Sequence, residues 1–104
     1  MALESLGDCY YKGQGVVQDY KEAIKWYQES AEQGNYFVLE KIGDYYYKGQ
    51  GGTQDYKEAV KYYQESADKG NADALKKLGD CYCKGHGVKK DILKGMRLRL
   101  KAKK

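Results

Sequence analysis

The chain has 104 residues, with no proline, 12 tyrosines and a third of its residues charged, a composition that favours a soluble helical protein over a disordered one. It contains no apolar run of about 18 residues, which excludes a membrane-spanning helix, and its first residues lack the features of a secretory signal, so we expect either a cytoplasmic protein or a fragment of a longer chain. The net charge of +4 is uneven, because residues 89–104 hold eight basic residues and one acid, whereas the rest holds eleven basic and fourteen acidic residues, a net charge of −3.

The first predicted helix covers residues 2–12. Leu3, Leu6 and Tyr10 are spaced three and then four residues apart, which places them on one helical face. Gly13 follows, where a left-handed residue commonly ends a helix. Gly7 lies inside the helix at a cost of about 1 kcal/mol relative to alanine, so we expect it to allow close contact with a bulky aromatic side chain of a partner helix.

The second predicted helix begins at Asp19. An aspartate at the N-cap with Glu22 three residues later is the arrangement of a capping box. Gly34 follows the last periodic residue of this helix. The face that we expect to be buried carries Tyr20, Ala23, Tyr27 and Ala31.

The same pattern returns 36 residues later and, in part, 72 residues later. We therefore predict one all-α domain over residues 1–104, with repeats at about 1–35, 36–71 and 72–104 and an antiparallel helix pair in each. The last repeat is degenerate, since Gly95 replaces an alanine, Leu98 and Arg99 replace an aromatic pair, and Lys103 replaces Ala31. The positions that agree between the first two repeats include Gly7 and Gly43, Tyr10 and Tyr46, Gly13 and Gly49, Gly15 and Gly51, Asp19 and Asp55, Ala23 and Ala59, Tyr27 and Tyr63, Ala31 and Ala67, and Gly34 and Gly70.

Two stretches carry a resemblance to a known family. Leu6-Gly7-Asp8-Cys9-Tyr10-Tyr11-Lys12-Gly13-Gln14-Gly15-Val16 and Ala23-Ile24-Lys25-Trp26-Tyr27 resemble the Sel1-like repeat, a relative of the tetratricopeptide repeat. The resemblance implies a right-handed α-solenoid that acts as an adaptor or scaffold for protein complexes. It also implies that the chain has no catalytic residues of its own.

The residue types that could carry catalysis or bind a metal are sparse. Cys81 and Cys83, two apart on a helix, point about 200° away from each other, so they are poorly placed to bind one metal with His86. Cys9 and Cys81 occupy equivalent positions about 20 Å apart, too far for a disulfide, and we expect reduced thiols. The Gly-x-Gly segments follow no strand and are expected to be interhelical turns rather than phosphate loops. They are Gly13-Gln14-Gly15, Gly49-Gln50-Gly51 and Gly85-His86-Gly87, so His86 is expected to be a turn residue. We therefore predict that the chain is not an enzyme and that it binds neither a metal ion nor a cofactor.

A stripe of recurring polar residues is the first candidate binding site. Asp8, Asp44 and Asp80 are each followed four residues later by a lysine, a spacing typical of a helical ion pair. Two interpretations remain open, a solvated salt-paired face or an inner groove that binds a protein or peptide. The candidate groove residues are Asp8, Tyr11, Lys12, Asp44, Tyr47, Lys48, Asp80, Cys83 and Lys84.

The basic C-terminal segment is the second candidate. Lysines and arginines alternate there with leucine and methionine, which resembles a basic amphipathic helix that could bind nucleic acid or an anionic membrane surface. The alternative is a final capping helix whose charges are solvated, and an uncapped end could also allow self-association. The candidate contacts are Lys94, Arg97, Arg99 and Lys101.

Overall fold

A computed structural model describes residues 2–49 and 54–103 of the chain. Within these ranges it contains six α-helices and no strand, as the sequence predicts. The helices are α1 (Leu3–Lys12), α2 (Tyr20–Glu32), α3 (Val38–Lys48), α4 (Tyr56–Asp68), α5 (Ala72–Lys84) and α6 (Ile92–Ala102).

In each repeat a glycine ends the first helix and an aspartate caps the start of the second. Gly13 ends α1 in the left-handed region with φ of 71°, and Gly49 and Gly85 end α3 and α5 in the same way. The Asp19 carboxylate accepts a hydrogen bond of 3.1 Å from the backbone N–H of Glu22, and Asp55 caps α4 equivalently. The predicted N-caps of α2 and α4 are thus confirmed. The predicted turn residue Gly51 lies outside the described residues.

The helices stack in chain order, so each packs mainly on its sequence neighbours. The molecule is therefore elongated, with extents of 44 × 28 × 18 Å. The first buried cluster joins two repeats, with Ala23, Ile24 and Tyr27 of α2 against Val38, Ile42 and Tyr45 of α3. The second cluster joins the next two repeats in the same manner, through Ala59, Tyr63, Leu78 and Cys81. Each pair of neighbouring repeats is thus joined by its own buried apolar cluster, as in an α-solenoid of antiparallel helix pairs.

The glycine inside the first helix of each repeat permits close helix packing. A Cβ atom on Gly7 would lie 2.5 Å from a ring carbon of Tyr27, and one on Gly43 would lie 2.7 Å from the ring of Tyr63. The expected contact between this glycine and an aromatic ring is confirmed in both repeats. In the third repeat the glycine is Gly79, which instead meets the carbonyl oxygen of Gly95.

Some details of burial differ from the sequence prediction. Tyr20 and Ala31, expected to be buried, are half-buried, because they lie at the edge of the contact with α3. Among the three consecutive tyrosines of α3, Tyr45 is buried and Tyr46 and Tyr47 are half-buried. In the described part of the chain, none of the helices is both long and apolar enough to cross a membrane.

Candidate functional site

Asp8 of α1 is held by side chains from two other helices. The Tyr27 hydroxyl of α2 donates a hydrogen bond to its Oδ1 atom. The ammonium group of Lys41, which belongs to α3 in the next repeat, lies 3.0 Å from Asp8 and 2.8 Å from Glu4. The Asn35 amide donates a further hydrogen bond of 2.8 Å to Glu4. This cluster therefore links the first repeat to the second.

The same cluster recurs one repeat later. The Tyr63 hydroxyl donates a hydrogen bond of 2.5 Å to Asp44. Lys77, again from the following repeat, lies 2.9 Å from Asp44 and 2.5 Å from Glu40. Asn71 donates to Glu40 at 2.9 Å, just as Asn35 donates to Glu4.

These contacts correct the predicted ion pairs. The sequence spacing indicated that Lys12 and Lys48 would pair with Asp8 and Asp44 within their own helices. The ion pairs of both aspartates are instead formed with a lysine of the next repeat, Lys41 or Lys77. The physical reason is that the tyrosine hydroxyl and the neighbouring lysine reach the carboxylate where it is partly shielded from water, whereas the lysine four residues later extends into solvent.

The first cluster changes the ionisation of its members. The hydrogen bond from Lys41 and then that from Asn35 lower the pKa of Glu4. Burial alone would raise the pKa of Asp8, but the hydrogen bonds from Tyr27 and Lys41 outweigh it and lower the pKa. Burial alone would lower the pKa of Lys41, but its bonds to Glu4 and Asp8 raise it. The cluster therefore remains ionised at neutral pH and contributes a fixed set of charges.

The third aspartate has a different partner. Arg99 stands where the first two repeats have Tyr27 and Tyr63, and its Nε atom lies 3.3 Å from the Asp80 carboxylate. Lys76 stands where they have Glu4 and Glu40. Asp80 is thus paired by a cation from the second helix of its own repeat.

Next to each tyrosine–aspartate pair lies a concavity, and we call the two concavities together the groove. The first is about 170 Å³ and the second about 280 Å³ in volume. Each residue that lines the first has its counterpart 36 positions later in the second. The first is lined by Asp8, Tyr11, Lys12, Tyr27, Lys41, Asp44 and Lys48, and the second by Asp44, Tyr47, Lys48, Tyr63, Lys77, Asp80 and Lys84.

The groove contains eight of the nine candidate residues from the sequence. Lys12, Lys48 and Lys84, which we call the rim lysines, are exposed and form no ion pair within the described residues. Cys83 does not line either concavity, because its Sγ atom turns toward the carbonyl oxygen of Ile92, 3.9 Å away.

Tyr11 and Tyr47 form the aromatic part of the groove. The ring of Tyr47 lies 5.1 Å from that of Tyr56, and Tyr11 packs on Tyr20 with a similar spacing. Tyr47 is also linked to His86, since its hydroxyl oxygen lies 2.8 Å from Nδ1. Sequence analysis treated this histidine only as a turn residue.

His86 also stacks on a ring from the preceding repeat. Its ring lies 4.3 Å from that of Tyr56, with an angle of 3° between the planes. No sequence signal indicated this contact, because the equivalent residue of the first repeat is Gln14.

The candidate residues of the basic segment separate into two groups. Lys94, Arg97 and Lys101 surround a shallow concavity of about 420 Å³ on α6, together with Leu98 and Leu100. Lys94 also lies 4.5 Å from the centre of the Tyr82 ring. Arg99 points the other way and pairs with Asp80, which lines the second concavity of the groove.

The three cysteines are free thiols with separate surroundings. Cys81 is buried in the second core cluster, and burial raises the pKa of its thiol to about 11. Among the described residues, no three histidine, cysteine or acidic side chains are grouped so that they could hold a metal ion.

Comparison with known proteins identifies relatives of the whole fold. The family model described as Sel1 repeat matches residues 1–35, 39–71 and 72–104. The comparison with curated proteins returns no match.

Three solved structures are similar to this chain. The first is c5321, a protective antigen of uropathogenic Escherichia coli strains with an SLR fold, with 33% identity and a TM-score of 0.90 over 97% of this chain and 22% of its own length. A Sel1 repeat protein from Oxalobacter formigenes has 35% identity and a TM-score of 0.86, with 97% of this chain and 41% of that chain covered. Helicobacter pylori cysteine rich protein B shares the fold at 18% identity and a TM-score of 0.75, with 97% and 83% covered. The chain thus spans less than half of the first two proteins.

Proposed function

The chain belongs to the Sel1 repeat family, whose members are generally scaffolds for protein interactions, and on this premise we propose that it is a non-enzymatic adaptor that binds a partner protein in its groove. The observation that carries the proposal is the recurrence of all seven lining residues in two adjacent concavities. A surface that repeats its chemistry at a regular spacing suits an extended segment, because such a segment also presents its side chains at regular intervals.

The charges of the groove favour an acidic segment. Asp8 and Asp44 are already paired with Lys41 and Lys77, so they oppose an incoming carboxylate less than unpaired aspartates would. The rim lysines remain available to it, since they are exposed and form no ion pair among the described residues. Half-buried Tyr11 and Tyr47 add apolar area beside these charges.

The spacing of the repeats suggests how the acidic residues of the partner are arranged. Neighbouring helices pack about 8–10 Å apart, so the first helices of adjacent repeats are separated by roughly 10–15 Å. An extended chain rises about 3.3 Å per residue, and therefore covers this distance in roughly three to four residues. A partner segment with an acidic side chain at that interval places one carboxylate beside each rim lysine.

The test uses fluorescent peptides with glutamate at roughly every third or fourth position, and the same peptides with glutamine instead. Lys12→Gln/Lys48→Gln/Lys84→Gln removes the rim charges and retains side-chain length. We expect it to weaken binding of the glutamate peptides about tenfold in fluorescence anisotropy, since three exposed ion pairs contribute about 1–1.5 kcal/mol in total.

The control is Lys21→Gln/Lys25→Gln/Lys57→Gln, which removes the same charge from exposed positions on α2 and α4. It should leave binding almost unchanged. Equal weakening by both triple variants would contradict recognition in the groove. Equal binding of the glutamine peptides would contradict the acidic character of the partner.

A further inference from the structure

An apolar stripe on α6 faces away from the rest of the protein. Its four residues are exposed to 50%, 71%, 52% and 61%, although all of them are large and apolar. At 100° per residue they fall within an arc of about 100°. The opposite side of the helix contacts the body of the protein through buried Gly95 and half-buried Leu98 and Ala102. The stripe consists of Ile92, Leu93, Met96 and Leu100.

Half of this stripe follows from the repeat pattern. Ile92 stands where α2 has Tyr20, and Met96 stands where α2 has Ile24. Those two positions of α2 are covered by the first helix of the next repeat, where Ile24 packs with Val38. Apolar residues at these positions are therefore ordinary for a helix that has a following repeat.

The other half has no counterpart in the earlier repeats. Leu93 replaces Lys21 and Lys57, and Leu100 replaces Gln28 and Gln64. All four of those earlier residues are exposed although a repeat follows them. A following repeat would thus leave Leu93 and Leu100 exposed to water. Their apolar character therefore indicates that this face of α6 binds something other than a repeat.

The positive charge beside the stripe indicates what kind of partner binds this face of α6. Residues 89–103 contain seven basic residues and one acid, and Lys94, Arg97 and Lys101 flank the stripe on one side. This density of positive charge opposes a second copy docked helix to helix. A nucleic acid would match the charge but offers no apolar phase for four exposed hydrophobic side chains.

We propose that α6 binds an anionic lipid surface as an interfacial helix. The stripe enters the boundary between headgroups and acyl chains, and the three flanking basic side chains extend to the anionic headgroups. The helix lies along the surface, since none of the described helices is long and apolar enough to cross a membrane. The groove remains exposed, because the residues that line it lie on α1 to α5 and none of them belongs to α6.

The test is flotation of the full chain with vesicles of phosphatidylcholine, with and without phosphatidylserine. Leu93→Gln/Leu100→Gln gives the stripe the polarity found in α2 and α4. We expect it to weaken binding to anionic vesicles about tenfold or more, because two leucine side chains no longer leave water. The control Val17→Gln/Phe37→Gln changes two other exposed apolar residues and should bind as the parent does.

Three further measurements complete the test. Lys94→Gln/Arg97→Gln/Lys101→Gln, or a rise in salt, should also weaken binding to anionic vesicles. Equal binding to vesicles with and without phosphatidylserine would overturn the proposal, as would binding that Leu93→Gln/Leu100→Gln leaves unchanged. Light scattering that shows a dimer abolished by the leucine variant, without vesicle binding, would assign the stripe to a second copy. Tight binding of single-stranded RNA that the leucine variant retains, without vesicle binding, would assign the helix to nucleic acid.

Discussion

The first two helix pairs have a tyrosine where the third has an arginine, and the two kinds of side chain make different contacts. In the first two pairs a tyrosine ring, Tyr27 or Tyr63, packs on a glycine and its hydroxyl group holds an aspartate. In the third pair Arg99 takes the tyrosine position, and Gly95 replaces the small alanine. The carbonyl oxygen of Gly95 would then lie only 2.7 Å from a Cβ atom on Gly79, so the two helix backbones are in direct contact.

This difference shows which contacts join repeats and which act within one repeat. Lys41 and Lys77 hold the aspartate and glutamate of the preceding repeat, so they contribute only when two repeats are stacked. Arg99 holds Asp80 within a single helix pair. The first two repeats therefore depend on their neighbours for charge pairing, and the third pair depends on close backbone packing.

The largest expected effect is the difference in the free energy of unfolding between alanine variants of Tyr63 and of Arg99, which occupy equivalent positions. Tyr63→Ala should lower the free energy of unfolding by about 3–5 kcal/mol, because the ring is 2% exposed and its loss leaves a cavity. Arg99→Ala, at the equivalent position, should cost about 1 kcal/mol or less, since its ion pair is half-exposed. Urea denaturation followed by circular dichroism measures both values.

Tyr63→Phe refines this comparison. It retains the ring and removes only the hydrogen bond to Asp44, so we expect a loss of about 1–2 kcal/mol. Equal losses for Tyr63→Ala and Arg99→Ala would show that the two positions are energetically alike and would contradict the comparison.

An intermediate effect is expected where the third pair departs from the repeat pattern. Gly95→Ala restores the alanine of the first two repeats, yet its Cβ atom would lie 2.5 Å from the carbonyl oxygen of Gly79. Overpacking costs about 1–3 kcal/mol, against a gain of about 1 kcal/mol in helix propensity. Because backbone atoms cannot move aside easily, we expect a net loss of about 1–2 kcal/mol in urea denaturation. A more stable variant would mean that α5 and α6 do not approach this closely.

The smallest effect concerns the charges between the first two repeats. The folded-state pKa values of Glu4 and Asp8 are lowered, so the stability that they contribute is present above their unfolded pKa values, about 4, and is lost as the pH falls through the lowered values. Lys41→Met should reduce stability at pH 7 by about 1 kcal/mol or less and flatten this loss at acid pH, because the ion pairs are partly exposed.

Thermal unfolding from pH 7 down to about pH 3 measures this dependence. Lys25→Met, at an exposed lysine of α2, is the control and should retain the acid-dependent loss of the parent. A parallel pH profile for Lys41→Met and the parent would contradict the role of this ion pair.

The local structure was predictable because its signals are short in range. The N-caps at Asp19 and Asp55 and the glycine C-caps at Gly13 and Gly49 depend on atoms a few residues apart. The fold class followed from the repeat, because a period of 36 residues that holds two helical faces can bury them only by stacking. Contact between Gly7 and an aromatic side chain was also predictable, since a glycine inside a helix costs stability unless it allows close packing, and the structure identifies that side chain as Tyr27.

The sequence predicted most residues of the candidate site but not the contacts that these residues make. The sequence identified most groove residues from their recurrence, yet it assigned Asp8 to Lys12 and treated His86 as a turn residue. The partners of these residues are 33 and 39 positions away, in Lys41 and Tyr47. A spacing of four residues is visible in the sequence, whereas the choice between a near and a distant lysine depends on which ammonium group reaches the partly buried carboxylate.

The sequence by itself determined the helices, their caps and the order in which they stack, because those follow from periodicity and local hydrogen bonding. Only the tertiary structure decided which of the equivalent residues form ion pairs and which are exposed to solvent. It separated Arg99, paired with Asp80, from the other basic residues of α6, and it left Leu93 exposed to solvent. The physical reason is that ion pairing and burial depend on which helix covers a residue, and equivalent positions in different repeats have different neighbours.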